Sequence, residues 1–225
     1  MNQIFKDVRW LFFDVGSTLM DETAAHEARG LQVVNAMADL GVSITSDEWA
    51  AAYEDAFSWA LNRMLEHAVM KLGLTESDAD VARSKTSFDR SLEVPYPHAL
   101  ETVSALARHY SAGIIANQDP GMVERLRVLG IDQYFDIVLG SGDIGLSKPN
   151  PEIFRRALLL SGCPPKQTAM IGDRTGNDII PAKTLGMKTI RVRQGFTHSI
   201  EPTSQPERPD AEVEAIADLA GLLGG

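Results

Sequence analysis

The chain has 225 residues, of which 44% are hydrophobic and 23% are charged, and its formal net charge is −10. This composition is typical of a folded globular protein and excludes a disordered or fibrous chain. The negative charge argues against a nucleic-acid or membrane-surface partner, because both require clustered Lys and Arg. It does not exclude a small anionic substrate, since one local lysine beside a metal ion can outweigh the overall charge.

Two further features indicate the compartment. Cys163 is the only cysteine, so no internal disulfide can form, and a reducing compartment is expected. The apolar run that follows Lys6 and Arg9 is too short for a signal peptide or a membrane span. We therefore expect a cytoplasmic protein without a membrane partner.

The first predicted element is a strand at residues 10–13, whose apolar residues do not alternate with polar ones, as in a strand buried on both faces of a parallel sheet. Residues 21–92 then contain no strand-like run. Apolar residues recur at helical spacing over residues 24–40 and 47–72, and Ser46 is a plausible N-cap for the second helix. An all-helical insert is therefore predicted between the first and second strands.

Strands and helices alternate over the rest of the chain. Strands are predicted at residues 112–116, 137–139, 169–171 and 188–192. Helices are predicted at residues 97–110, 120–130, 151–162, 175–185 and 212–223. Asn150 should cap the third of these helices, with Pro151 at its first position and Gly162 at its end. The pattern predicts an α/β fold with a doubly wound parallel sheet, in which residues 1–20 and 93–225 form a Rossmann-like core around an insert at 21–92.

Polar residues follow the predicted strands, and ligands of doubly wound sheets bind outside the carboxyl ends of the strands. These residues are Asp14, Asn117, Lys148, Asp173 and Asp178. Carboxylates on adjacent loops can hold Mg²⁺, while a lysine and an amide can hold phosphoryl oxygens. A carboxylate that is not fully committed to the metal can act as a nucleophile. The set therefore predicts a site for phosphoryl transfer.

Four segments that contain these residues resemble the sequence motifs of the haloacid dehalogenase superfamily. They are FFDVGSTL at residues 12–19, IIAN at 114–117, SKPNPEIF at 147–154 and IGDRTGND at 171–178. The resemblance covers nearly the whole chain and implies a hydrolase with a Rossmann-like core. The insert is similar to the helical cap that usually selects the substrate in this family.

The resemblance also implies a role for each site residue. Asp14 is the expected nucleophile, and Asn117, Gln118 and Lys148 are the expected substrate-binding residues, with Asn117 and Lys148 also assisting catalysis. The expected ligands of Mg²⁺ are Asp14, the backbone carbonyl of Gly16, Asp173 and Asp178. The expected partner is a small phosphorylated molecule, and the chain is expected to be a monomer or a homodimer.

Two positions depart from the family pattern. Gly16 stands where the family's phosphatases carry a second Asp, which protonates the leaving oxygen and later activates water. Such general acid–base assistance typically changes rates by about 10²–10⁴-fold. Ala116 stands where the second motif usually has Ser or Thr, and it supplies no hydroxyl.

These departures leave three hypotheses. The favoured one is a Mg²⁺-dependent phosphohydrolase whose substrate has a good leaving group, or whose acid is supplied by Asp21, Glu22 or His26. The second is a 2-haloacid dehalogenase-type enzyme, which needs neither the second Asp nor a metal, although such enzymes usually carry an aromatic residue at the position of Gly16. A phosphonate-cleaving relative would need a cap lysine, for which Lys71 and Lys85 are available. The third is a catalytically weak binding protein.

A glycine pattern at residues 140–145 also resembles dinucleotide-binding loops. Ser147 and Pro149 interrupt the helix that should begin there, so we interpret the segment as a glycine-rich loop that delivers Lys148.

Overall fold

The computed structural model describes residues 3–59 and 63–224. The chain divides into two compact units. The core unit comprises Met1–Met20 and Pro95–Gly225, and the insert unit comprises Asp21–Val94. The second boundary thus lies two residues later in the chain than the predicted one.

The core unit is built on a six-stranded sheet in which every neighbouring pair of strands is parallel. The strands are β1 (Trp10–Phe13), β4 (Ser111–Ala116), β5 (Ile137–Gly140), β6 (Thr168–Gly172), β7 (Lys188–Val192) and β8 (Ala211–Val213). Their order in the sheet is β5-β4-β1-β6-β7-β8. The central position of β1 and β6 places the residues that follow them side by side.

Helices cover both faces of this sheet. They are α5 (Ala99–Leu106), α6 (Met122–Val128), α7 (Ser141–Ile144), α8 (Pro151–Ser161), α9 (Ile180–Thr184) and α10 (Leu219–Leu223). Phe12 and Phe13 are both buried, and they belong to different apolar clusters on opposite faces of the sheet. This two-sided burial explains why the strands lack alternation, and it confirms the predicted α/β fold class.

The ends of α8 agree with the sequence prediction. The Asn150 side chain accepts a hydrogen bond from the Glu152 N–H at 3.0 Å. Gly162 ends the helix with a positive φ of 64°, a conformation that glycine adopts without steric cost. Both caps depend on local backbone geometry, so the sequence alone predicts them.

Three predictions for the core unit need correction. The predicted last helix at 212–223 begins instead with β8, which pairs with β7. A 3₁₀ turn, Ile216–Asp218, follows and leads into the short helix α10. The predicted helix at 175–185 starts as a π-helical turn, Thr175–Ile179, before α9. The segment at 140–145, which was interpreted as a loop, contains one helical turn, α7. Gly142 in this turn packs so closely on the backbone of Asp119 and Pro120 that a side chain would not fit.

Over the described residues, the insert unit contains four α-helices, and short strands pair at its two ends. The helices are α1 (Thr23–Ala38), α2 (Ser46–Trp59), α3 (Met64–Lys71) and α4 (Glu76–Lys85), and the strands are β2 (Met20–Asp21) and β3 (Val94–Pro95). The predicted helix at 47–72 therefore corresponds to two helices, and its residues 60–62 lie outside the described residues. Helix α4 and both strands are absent from the prediction.

The predicted N-cap of α2 is wrong by one residue. Thr45, not Ser46, makes the capping interactions: its hydroxyl accepts the Glu48 N–H at 3.2 Å, and the Glu48 carboxylate accepts the Thr45 N–H at 2.8 Å. This reciprocal pair is a capping box, which requires Glu or Gln three residues after the cap. Among the helices that the structure describes, none has the length and apolar character needed to cross a membrane.

Candidate active site

Asp14 and Asp173 follow the two central strands. The Asp14 N–H donates to the Ile171 carbonyl at 2.9 Å, so the end of β1 is hydrogen-bonded to β6. Asp173 directly follows Gly172, the last residue of β6, and Asp178 lies in the π-helical turn that comes next. The predicted convergence of these carboxylates is therefore observed at the carboxyl ends of the central strands.

Lys148 is buried between two of these carboxylates. Its Nζ atom lies 2.7 Å from Asp14 Oδ1 and 2.6 Å from Asp178 Oδ1. Burial by itself lowers the pKa of Lys148, but the two carboxylates raise it by more, so the pKa lies above its usual value. The side chain is therefore a cation that links Asp14 to Asp178.

Asn117 fixes the backbone of Lys148. Its side-chain oxygen accepts the Lys148 N–H at 2.7 Å, and its Nδ2 donates to the Lys148 carbonyl at 2.8 Å. This pair of hydrogen bonds joins the end of β4 to the segment that follows α7. The amide predicted to bind substrate thus also holds the lysine in place.

Asp178 depends on a glycine in the neighbouring strand. A Cβ atom on Gly172 would lie 2.7 Å from the Cβ of Asp178, closer than van der Waals contact permits. Asp178 Oδ2 accepts the Arg174 N–H at 3.0 Å, while its Oδ1 contacts Lys148. Its carboxylate is therefore fixed in a pocket that only glycine at position 172 leaves open.

Asp173 is held by two residues that were not predicted from the sequence. Thr197 Oγ1 lies 3.0 Å from Asp173 Oδ2, and Arg191 Nε donates to the Asp173 carbonyl at 3.2 Å. An arginine inside the apolar run 188–192 was a signal that a buried charge needed partners. Thr197 lies in a loop without a recognisable motif, and no local pattern marks it.

Gly16 and Gln118 lie in the segments that follow β1 and β4. The Ser17 N–H donates to the Met20 carbonyl at 2.8 Å, and Ser17 has a positive φ of 54°, so a tight turn follows Asp14 and Gly16. The Gln118 side chain accepts a hydrogen bond from Arg125. Metal ligation by the Gly16 carbonyl and substrate binding by Gln118 stay predictions.

The alternative acids and lysines lie in the insert unit, and each has a partner there. Asp21 accepts the Thr23 N–H at 2.9 Å, and His26 lies 3.1 Å from the Tyr53 hydroxyl and 3.8 Å from Glu22. Lys71 pairs with Asp55 at 3.2 Å and Lys85 pairs with Asp39 at 3.5 Å. These contacts are sufficient to explain the residues as parts of the insert's own structure.

The acidic cluster has the electrostatics of a cation site. Burial raises the pKa of Asp14, Lys148 opposes this and Asp178 adds to it, and the resulting pKa is about 6. Burial, followed by the charges of Asp178 and Asp14, raises the pKa of Asp173 well above its usual value. Because burial and mutual repulsion disfavour the ionised forms of Asp14 and Asp173 despite Lys148 and Arg174, a divalent cation among these carboxylates would stabilise the ionised forms.

The donor set fits Mg²⁺. Asp14, Asp173 and Asp178 each offer a carboxylate oxygen, and these atoms lie within 4.8 Å of one another. Octahedral coordination at about 2.0–2.1 Å places ligand oxygens roughly 3–4 Å apart, and Mg²⁺ keeps several waters beside one or two carboxylates. The cluster therefore needs only small adjustments to hold the ion.

The fold and the cluster define an α/β protein with a buried acidic site at the carboxyl edge of a parallel sheet. The family model for haloacid dehalogenase-like hydrolases matches residues 11–192. The chain therefore belongs to the haloacid dehalogenase-like hydrolases, as its motifs indicate.

Known proteins similar to the chain over nearly its whole length include two phosphatases. The glyceraldehyde 3-phosphate phosphatase of Methanocaldococcus jannaschii is 27% identical, with 96% of this chain and 97% of that protein covered. The phosphoglycolate phosphatase of Shigella dysenteriae is also 27% identical, with 98% and 94% covered. The crystal structure of YfnB from Bacillus subtilis bound to magnesium superposes with a TM-score of 0.71 at 21% identity, covering 97% and 99% of the two chains. This similarity supports the fold.

Proposed function

We propose that the protein is a Mg²⁺-dependent phosphatase of small phosphorylated metabolites, with Asp14 as its nucleophile. The observation that carries the proposal is the buried cluster in which Lys148 bridges Asp14 and Asp178 beside Asp173. The names of the two relatives support a small phosphorylated metabolite as the substrate. Both named substrates are alkyl phosphates, whereas the absence of an acid at Gly16 disfavours this class of leaving group.

In the proposed reaction, an oxygen of the Asp14 carboxylate attacks the phosphorus atom, and the bond from phosphorus to the leaving oxygen breaks. The aspartyl-phosphate is then hydrolysed by water, which regenerates the carboxylate. Lys148 holds Asp14 by its Oδ1 atom and offers positive charge to the phosphoryl oxygens, while Asn117 keeps Lys148 in place. Mg²⁺ held by Asp14, Asp173, Asp178 and the Gly16 carbonyl would supply neutralisation of the charge that develops on these oxygens.

The identity of residue 16 bears on the leaving group. Glycine at this position provides no acid to protonate the departing oxygen. Acyl and aryl phosphates, whose leaving groups are stable as anions, should therefore react much faster than alkyl phosphates. The insert unit is proposed as the cap that selects among such substrates.

Asp14→Asn tests the nucleophile. The variant should lose turnover of an aryl phosphate in the presence of Mg²⁺ by on the order of 10³-fold or more, as expected when a covalent nucleophile is removed. Asp136→Asn changes an exposed aspartate of the same unit, and it should leave turnover unchanged. Retention of substantial activity by Asp14→Asn would show that another group attacks the phosphorus.

A chelator distinguishes phosphatase from dehalogenase chemistry. The family's dehalogenases do not need a metal, whereas the proposed phosphatase reaction uses Mg²⁺ held by the carboxylate cluster. We expect EDTA to abolish phosphate release, and we expect no chloride release from 2-chloroacids with or without EDTA. Metal-independent chloride release would favour the dehalogenase hypothesis, and the absence of both activities would favour a binding protein.

A further inference from the structure

The loop at residues 194–198, which follows β7, contacts both segments that carry the carboxylate cluster. Thr197 is 3% exposed, and its Oγ1 lies 3.0 Å from Asp173 Oδ2 and 3.2 Å from the Asp173 carbonyl. Gly195 packs on the turn after Asp14, where a Cβ atom would lie 2.6 Å from Ser17 Oγ. The loop is therefore fitted against the β6 segment and the β1 segment together.

Arg191 forms hydrogen bonds to both Asp173 and Thr197. Its guanidinium is fully buried, and it donates to the Asp173 carbonyl at 3.2 Å and to the Thr197 carbonyl at 2.6 Å. One rigid, planar cation thus sets the spacing between the backbone of Asp173 and that of Thr197. The position of the Thr197 hydroxyl relative to the Asp173 carboxylate follows from this shared anchor.

We infer that Thr197 is a positioning residue for metal binding: its hydroxyl holds Oδ2 of Asp173 and so leaves Oδ1 directed to the cation. The inference rests on the proposed function, because it concerns the same Mg²⁺ site. Carboxylates that bind metals are commonly oriented by a hydrogen bond to the oxygen that does not bind, and loss of such a partner typically costs 10–100-fold in metal affinity or activity.

The chain offers a matched control for this hydrogen bond. Thr189, at the other end of β7, is also buried, and its Oγ1 lies 3.0 Å from Oδ2 of Asp210. Asp210 is not part of the carboxylate cluster. Thr189→Val therefore removes the same type of bond from the same region of the fold without touching the proposed site.

The experiment is calorimetric titration of the metal-free full-length protein with Mg²⁺ in the absence of substrate. Thr197→Val should raise the dissociation constant for Mg²⁺ by about 10-fold or more, while Thr197→Ser, which keeps the hydroxyl, should stay close to wild type. Thr189→Val should also bind Mg²⁺ like wild type. Thermal unfolding without metal reports separately whether each variant is folded.

Each result decides the inference. Wild-type affinity in Thr197→Val overturns it, as does an equal loss in Thr197→Ser or in Thr189→Val, since either would show a structural effect rather than orientation by the hydroxyl. If Thr197→Val does not fold, Thr197→Ala removes the same hydroxyl and carries the same expectation. Wild-type protein that binds no Mg²⁺ would overturn the metal site of the proposed function itself, and with it this inference.

Discussion

Lys148 links two carboxylates of the site, Asp14 and Asp178. Its side chain is 1% exposed, and its ammonium contacts Asp14 and Asp178 at hydrogen-bond distance. Removing one partner of a buried ion pair is strongly destabilising because the other charge stays buried without compensation. The lysine should therefore stabilise the fold of the site, and in the proposed reaction it also offers charge to a substrate.

In the proposed reaction, the absence of an acid at Gly16 limits which leaving groups the site can release. Gly16→Asp should raise kcat/KM for alkyl phosphates by up to about 10²–10⁴-fold, because it introduces an acid for the leaving oxygen. The measurement is the ratio of alkyl-phosphate to aryl-phosphate turnover in wild type and variant. Gly16→Asn has a similar size without the acid and should not raise this ratio. Equal wild-type rates for both substrate classes would mean that another residue supplies the proton.

The end of β6 and the π-helical turn form one packed element in which Gly172 and Asp178 depend on each other. Gly172→Ala should displace Asp178, weaken Mg²⁺ binding and reduce turnover, and the overpacking itself should cost about 1–3 kcal/mol in the free energy of unfolding. Turnover, Mg²⁺ titration and chemical denaturation measure these effects.

Gly221 in α10 is the matched control for Gly172. A Cβ atom there would meet no other atom within 4 Å. Gly221→Ala should therefore leave turnover unchanged and stabilise the helix by roughly 0.5–1 kcal/mol. Unaltered activity in Gly172→Ala would contradict the assigned role of Asp178.

Elements differ in how much of their structure local sequence encodes. The ends of α8 were predictable because Asn150, Pro151 and Gly162 act on their own helix. Strand β8 was not, because a three-residue strand at the sheet edge forms only by pairing with β7. Helix α4 was missed because its buried residues are Ala79 and Ala82, which give too weak an apolar pattern to indicate a helix.

The raised pKa values link the stability of the protein to pH and metal. The pKa of Asp14 rises from 3.8 to about 6 on folding, so the folded, metal-free chain binds more protons than the unfolded chain between these values. The contribution of Asp14 to the stability of the folded state is therefore favourable at low pH and is lost as the pH rises through about 6. Asp173 changes stability in the same direction because its pKa is also raised.

Mg²⁺ should reverse this loss. At a concentration 100 times its dissociation constant, a ligand of the folded state stabilises it by about 2.7 kcal/mol, which corresponds to a rise in Tm of about 5–10 °C for a protein of this size. We expect this rise at pH 8 and a much smaller one at pH 5, where protons compete for the carboxylates. Thermal unfolding with and without Mg²⁺ at the two pH values measures it.

Asp173→Asn provides the control for the effect of Mg²⁺ on Tm. The variant removes a ligand and one buried negative charge, so its Tm without metal at pH 8 should be at least that of wild type. The rise in Tm caused by Mg²⁺ should be largely lost in this variant. A rise of wild-type size in this variant, or one that is equal at pH 5 and pH 8, would contradict metal binding by the cluster.

The residues at the strand ends were accessible from the sequence alone. Apolar runs predicted the parallel strands, and because parallel strands end at one edge of a sheet, Asp14, Lys148, Asp173 and Asp178 could be assigned to one site. The contacts that orient these residues were not accessible in this way. Only the folded structure shows these contacts. They are the hydrogen bonds between Asn117 and Lys148, the packing of Gly172 against Asp178, and the hydrogen bonds of Arg191 and Thr197 to Asp173. Most of these contacts join residues distant in the chain, and strand order, register and the path of the intervening loops decide which of them meet.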